Sequence, residues 1–143
     1  MNQDERDELF ITVRDGELAE AREALEKADM SWLHSAFRQN MLFFVAARRR
    51  GCELLAKDCI RKGVDLAQID SQRQTPLFWA AARGNLPMVK FCLGLGMEIN
   101  FRDNCRNTAL FFAITNNHVE VVSYMVEQGA SLHVQAVDRT KPR

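Results

Sequence analysis

One segment of this chain is repeated at a spacing of 33 residues, and this repeat constrains the fold more than any other feature. Residues 75–81 read TPLFWAA, and residues 108–114 read TALFFAI. Gly63, Gly96 and Gly129 follow each other at the same spacing. A fixed period of this length is typical of proteins in which small structural units stack side by side, each burying the apolar face of the next.

Two less regular copies precede these two. Residues 41–47, MLFFVAA, form a third copy, and the turn after it is one residue longer than the turn that ends at Gly84. A fourth copy starts near Leu9 and continues past Gly16 into a segment rich in Ala and Glu. In each copy the spacing of apolar residues predicts two helices, and a glycine or asparagine marks the turn between them. The charged side of the first copy is typical of a terminal repeat that caps a stack.

A period of 33 residues that opens on T-P-L-x-x-A resembles the ankyrin repeat. The resemblance implies an all-α fold, an ankyrin-repeat solenoid of stacked helix-turn-helix units joined by β-hairpin-like loops. We therefore predict a single ankyrin-repeat domain over residues 1–143. Its units are an N-terminal cap at about 5–30, three repeats at 37–69, 70–102 and 103–135, and a tail or truncated next repeat at 136–143.

The chain departs from the family pattern at two places. Each unit has a phenylalanine where the family has a histidine in its first helix, which predicts aromatic packing instead of a polar brace; these are Phe10, Phe44, Phe78 and Phe111. At the loop tips, Arg73 and Arg106 replace the family's glycine, which adopts a positive φ. Either these arginines accept a backbone penalty or the turn type differs.

The sequence offers no constellation for catalysis. It contains no G-x-x-x-x-G-K-[ST] phosphate loop, and its three histidines lie far apart. Its four cysteines form no C-x-x-C pair, and they indicate reduced thiols of an intracellular protein in the cytoplasm or nucleus. Cys59 and Cys92 occupy equivalent apolar repeat positions and are expected to be buried. Nineteen basic and nineteen acidic residues give no net charge, so nucleic acid is not an expected partner. We predict no enzyme activity, no cofactor, no metal and no membrane association.

In ankyrin repeats, partners usually bind along the loop tips and the exposed side of the first helices. The resemblance therefore implies a non-catalytic module that binds a peptide or protein segment, and its arginines suggest an acidic partner. Trp79 and Phe112 share one repeat position, and whether they face outward or pack inward stays open. The predicted contact residues are Arg38, Arg48, Arg49, Gln72, Arg73, Gln74, Trp79, Arg83, Arg106, Asn107, Phe112 and Asn116.

The sequence leaves two other interpretations of the function open. Trp79, Phe112 and Trp32 could form a cage for methylated lysine, although no carboxylate beside the rings is evident from the sequence. Alternatively, the repeats could regulate a catalytic part of a larger enzyme. The last helix, around residues 119–126, is as apolar as an internal one. This favours an excerpt from a larger protein, or another domain of the same chain docking at this end. A third alternative is that the tail folds back and covers the helix.

Overall fold

The structure is a computed structural model, and it describes residues 1–132 of the 143-residue chain. Those residues form eight α-helices and no β-strand. They are grouped in two compact units, Met1–Ser71 with α1 to α4 and Gln72–Arg143 with α5 to α8. The helices are α1 (Gln3–Asp15), α2 (Leu18–Lys27), α3 (Met41–Ala46), α4 (Cys52–Arg61), α5 (Pro76–Arg83), α6 (Leu86–Gly94), α7 (Ala109–Thr115) and α8 (Val119–Glu127).

The N-terminal unit consists of two helix pairs, α1 with α2 and α3 with α4. The pairs pack on each other, with α1 against α3 and α2 against α4. Their contact is apolar, since Phe10, Leu25, Leu42 and Leu55 are almost completely removed from solvent. Burying side chains of this size contributes about 1.5–3 kcal/mol each.

The C-terminal unit repeats this arrangement. Helices α5 and α6 form one pair and α7 and α8 the next, with α5 against α7 and α6 against α8. Leu77, Met88, Leu110 and Met125 fill its core. The prediction of two helices per repeat is therefore confirmed for both units. The predicted unit boundaries stay a prediction, and the segment 136–143 lies outside the described residues.

The four aligned phenylalanines differ in their burial. Phe10, Phe44 and Phe78 are buried, whereas Phe111 is half-buried. In the N-terminal unit, the ring centroids of Phe10 and Phe44 lie 5.0 Å apart, and the ring of His34 lies 5.6 Å from the first and 5.0 Å from the second. Aromatic packing thus takes the place of a polar brace there.

The first helix of the C-terminal unit begins and ends as the T-P and Gly signals predict, with one difference. Thr75 occupies the N-cap position, but its hydroxyl makes no capping bond. Pro76 follows in the first turn and lacks the N–H that would otherwise need a partner. At the other end Gly84 adopts a φ of 72°. The ring of His118 lies against it, so that a β-carbon added at Gly84 would be only 2.4 Å from Nδ1 of His118.

Candidate functional site

The loop tips carry arginines in a backbone conformation that normally favours glycine. Arg73 and Arg106 have φ angles of 62° and 65°, and Arg38 in the N-terminal unit has a φ of 57°. The arginines therefore adopt the conformation of the family's glycine, and the turn type is unchanged. For a residue with a β-carbon this conformation costs about 1–2 kcal/mol. All three arginine side chains are exposed.

The tip that carries Arg106 is fastened at its base by the buried Asp103. The carboxylate of Asp103 accepts hydrogen bonds of 2.9 Å from the amide nitrogens of Cys105 and Asn107. It accepts a third, also of 2.9 Å, from the side chain of Gln74. A backbone bond of 3.0 Å from Asn104 N–H to the carbonyl of Gln72 joins the two tips. The tips are therefore rigidly positioned by polar contacts at their base.

Gln74 and Asn107, both predicted as contact residues, belong to this base. Gln74 is half-buried and binds Asp103 through its side chain, whereas Asn107 is buried and binds Asp103 through its backbone amide. Gln72, in contrast, is exposed at the tip. All three residues are polar, so the sequence predicted a contact role for each. Residue type alone could not distinguish the exposed Gln72 from Gln74 and Asn107, which support the loop.

A groove of about 610 Å³ lies between the tips and the first helices of the C-terminal unit. Trp79 of α5 and Phe112 of α7 both line it and are half-buried. Phe112 packs inward on Phe78, with ring centroids 6.0 Å apart, and on Phe111, at 5.3 Å. Phe112 therefore packs on its inner side, and both half-buried rings border the groove.

The groove includes five residues outside the list of predicted contact residues. They are Phe78, Ala82, Asp103, Asn104 and Cys105, and the other lining residues are Gln72, Gln74, Trp79, Asn107 and Phe112. Asp103 could have been identified from the sequence, because Asp70 and Asp103 recur at the start of successive tips. The indole nitrogen of Trp79 is buried and has no hydrogen-bond partner within residues 1–132. The groove therefore combines an aromatic floor with an amide-rich rim.

Three of the predicted contact residues belong to the N-terminal unit, and they differ in exposure. Arg38 and Arg49 are exposed. Arg48 is buried, and its guanidinium donates to the backbone carbonyls of Val13, Gly16 and Arg50. These bonds hold the end of α1, and a buried cation that is fully engaged with backbone is not a contact residue. Arg48 is therefore removed from the candidate surface.

The two remaining predicted residues lie at the end of the first helices of the C-terminal unit. Arg83 and Asn116 are exposed. The side-chain nitrogen of Asn116 donates a hydrogen bond of 3.1 Å to the carbonyl of Ala82. His118 also contacts this carbonyl, with Nε2 at 2.8 Å. Asn116 thus links α7 to α5 while its side chain remains accessible.

The thiols divide into buried and exposed groups. All four cysteines are free; Cys52, Cys59 and Cys92 are buried, and Cys105 is exposed in the groove. Burial, together with the neighbouring Asp58 carboxylate, raises the pKa of the Cys59 thiol to about 12. The predicted burial of Cys59 and Cys92 is confirmed, and the loop tip carries Cys105 to the surface. The described residues contain no cluster of three His, Cys, Asp or Glu side chains that could hold a metal ion.

No helix in the described part of the chain is long and apolar enough to cross a membrane. A search of curated proteins found no significant match to this chain. The family described as ankyrin repeats (3 copies) does match, over residues 42–136. This family is typically non-catalytic, and its members generally act as protein–protein interaction modules. The matched region covers most of the chain and the helix pairs follow the same repeat, so the chain belongs to the ankyrin-repeat family.

Proposed function

We propose that this chain is a non-catalytic interaction module that binds a peptide or protein segment in the groove of its C-terminal unit. The observation that carries the proposal is the shared lining of this groove by Trp79 and Phe112. Both side chains are half-buried and Phe112 packs on two neighbouring rings, so little conformational freedom is lost when their outer sides are covered. Large, rigid aromatic side chains at the centre of a contact are frequent hot spots.

The size and lining of the groove suit a short extended segment. Its volume of about 610 Å³ lies within the range of ordinary ligand sites, about 300–1,000 Å³. An apolar side chain of the partner would cover Trp79 and Phe112, while its backbone would lie near the amide groups of the rim. We expect a single anchoring side chain, since the aromatic floor consists of these two outer surfaces.

The charge around the groove favours an acidic partner. Arg73, Arg102 and Arg106 are exposed at the tips, and Arg83 is exposed on α5. Asp103, which lines the groove, is buried and already accepts three hydrogen bonds. The outward charge at this edge is therefore positive, which accelerates association with an acidic segment and fixes its orientation. Arg38 and Arg49 stay predicted contact residues of the N-terminal unit.

Methyl-lysine recognition is a second candidate, favoured by one specific observation. Asp103 lines the same groove as Trp79 and Phe112, so a carboxylate does lie near the two rings. Trp32 is less suited to a third wall, because the guanidinium of Arg6 lies over its ring, 4.8 Å from the centroid. As a further alternative, either kind of binding could regulate a catalytic part of a larger enzyme.

Selection from a random decapeptide display library on the intact chain tests the proposal. We expect enriched peptides to combine Asp or Glu with one large apolar residue. Their affinity should fall at least about tenfold in Trp79→Ala and Phe112→Ala variants, the loss expected of hot-spot residues. Leu66→Ala, an exposed apolar change in the N-terminal unit, serves as the control and should bind normally.

Two results would reject the proposal. Enriched peptides whose affinity is unchanged in both aromatic variants would place binding outside the groove. A lysine peptide that binds only when trimethylated, and that loses binding in the same variants, would replace the acidic segment by the methyl-lysine alternative. Thermal unfolding of each variant must match that of the original chain, so that loss of binding is not loss of fold.

A further inference from the structure

The outer face of the last helix pair is apolar and exposed. Ile114 at the end of α7, and Val119 and Val126 on α8, have 47%, 73% and 40% of their surface accessible. Val119, Val122 and Val126 recur at intervals of three and four residues, which places them on one stripe of α8. This face lies apart from the groove, none of whose lining residues it shares.

The preceding helix pair indicates what shape fits such a face. One repeat earlier the corresponding surfaces belong to α5 and α6, and they are covered by α7 and α8 respectively. Ala81, the counterpart of Ile114, is completely buried by that contact. A surface with the same helical geometry is complementary to another helix, because ridges of side chains on one helix fit the grooves of the next.

Ile114 makes the face unsuited to a helix pair at the usual repeat spacing. Its counterpart in the preceding repeat is Ala81, which is completely buried and whose small side chain leaves room for a neighbouring helix to approach closely. An isoleucine adds three carbon atoms at this point of closest approach. A partner helix must therefore lie farther out or cross at a different angle, so that Ile114 inserts between its side chains.

The charge of this end is the opposite of that of the loop tips. Glu120 and Glu127 are exposed on α8 beside the apolar stripe. Residues 107–132 contain no lysine and no arginine. An exposed apolar stripe flanked by Glu120 and Glu127 is complementary to a helix whose apolar face is flanked by basic residues.

We propose that the outer face of α7 and α8 binds a basic amphipathic helix of a partner protein. The helix would present apolar residues at i, i+3 or i+4, and i+7 to Ile114, Val119 and Val126, with Lys or Arg beside them opposite Glu120 and Glu127. This second interaction surface is independent of the groove and does not rest on the function proposed for it. A protein with both surfaces can hold an acidic segment and a basic helix at the same time.

The test uses the intact chain and a random 18-residue peptide display library. Peptides are selected on the original chain and then sorted by their binding to two variants, Val119→Asp with Val126→Gln, and Trp79→Ala with Phe112→Ala. We expect a class of peptides that loses at least about tenfold in affinity with the first variant and binds the second normally. That class should be rich in Lys and Arg and should carry apolar residues at helical spacing.

Further measurements separate this proposal from its competitors. Glu120→Gln with Glu127→Gln should weaken the same peptides a few-fold, and more strongly at low salt. The proposal is overturned if no selected class depends on Val119 and Val126, or if the dependent class is acidic. It is also overturned if sedimentation shows self-association that the first variant abolishes, because the occupant is then a second copy. Displacement of the selected peptides by a synthetic peptide of residues 133–143 would make that segment the occupant.

Discussion

The side chain of Gln74 donates a hydrogen bond of 2.9 Å to Oδ2 of Asp103, across 29 positions of the chain. The N-terminal unit contains the same relationship, where Gln39 donates to Oδ2 of Asp70 at 2.8 Å. In both cases a glutamine that follows a positive-φ arginine binds the aspartate of the next tip. The recurrence indicates a structural device of this chain that holds successive tips together and thereby keeps the exposed arginines in position.

Replacing Asp103 should destabilise the chain. Asp103→Ala removes the acceptor for two buried backbone amides and for Gln74, so we expect a loss of about 2–4 kcal/mol in the free energy of unfolding. Asp103→Asn should cost less, since its oxygen can still accept from both amides and Gln74 can rotate its own amide. Urea denaturation measures both. Glu98→Ala, an exposed acid in the preceding loop, is the control, and equal midpoints for Asp103→Ala and Glu98→Ala would contradict this role.

Glycine should be better tolerated than alanine at Arg106. The two variants lose the same arginine contacts, but only glycine adopts a φ of 65° without strain, so Arg106→Gly should exceed Arg106→Ala in stability by about 1 kcal/mol. At Arg102, whose φ is not positive, the order should be reversed because glycine is more flexible in the unfolded chain. Chemical denaturation of all four variants measures the difference. The same order at both positions would show that the tip conformation is not strained.

A side chain at Gly84 should be more disruptive than one at Gly96. Both glycines have positive φ angles, 72° and 94°, so both alanine variants carry the same type of backbone strain. A β-carbon at Gly84 would also lie 2.4 Å from His118 Nδ1, whereas nothing lies within 4 Å at Gly96. We expect Gly84→Ala to be the less stable variant by about 1–3 kcal/mol, the range for overpacking.

A double-mutant cycle identifies the source of this difference. In a His118→Ala background the clash is removed, so Gly84→Ala should then cost about as much as Gly96→Ala, and the coupling between the two sites should reach about 1–3 kcal/mol. Additive effects of Gly84→Ala and His118→Ala in thermal unfolding would contradict the proposed contact.

Arg48 and Arg49 are adjacent in sequence, but their replacement should have different consequences. Arg48→Met leaves the backbone carbonyls of Val13 and Gly16 without their donor, and should lower the free energy of unfolding by about 2–4 kcal/mol. Arg49→Met alters an exposed side chain and should change stability by less than about 0.5 kcal/mol. Thermal unfolding monitored by circular dichroism compares the two, and similar effects would contradict the structural role of Arg48.

One of the four thiols should react rapidly with a thiol reagent in the folded chain. Cys105 is exposed, while Cys52, Cys59 and Cys92 are buried and should react only when the fold opens. The raised pKa of Cys59, about 12, further suppresses its thiolate. Colorimetric titration without denaturant measures the exposed thiol, and titration in denaturant measures all four. A Cys105→Ser variant should show no fast phase, and a fast phase that persists in it would show that a buried thiol is accessible.

The sequence determined the repeat, the helix pairs and the apolar positions, because these depend on periodicity and on local signals such as Pro76 and Gly84. It could not distinguish residues of one chemical type by their surroundings. Arg48 is buried and Arg49 is exposed, although both are arginines at the end of the same helix. Only the tertiary structure decided this, since the carbonyls that bind Arg48 come from α1.

The same division holds at the groove. The equivalence of Trp79 and Phe112 was visible as a repeat position, but their half-burial depends on how α5 packs against α7. The positive φ of Arg73 and Arg106 also required the folded tips, because an isolated turn would not hold a strained arginine without the buried aspartate at its base. Periodicity is a property of the chain, whereas burial and backbone strain arise from contacts between residues that are distant in sequence.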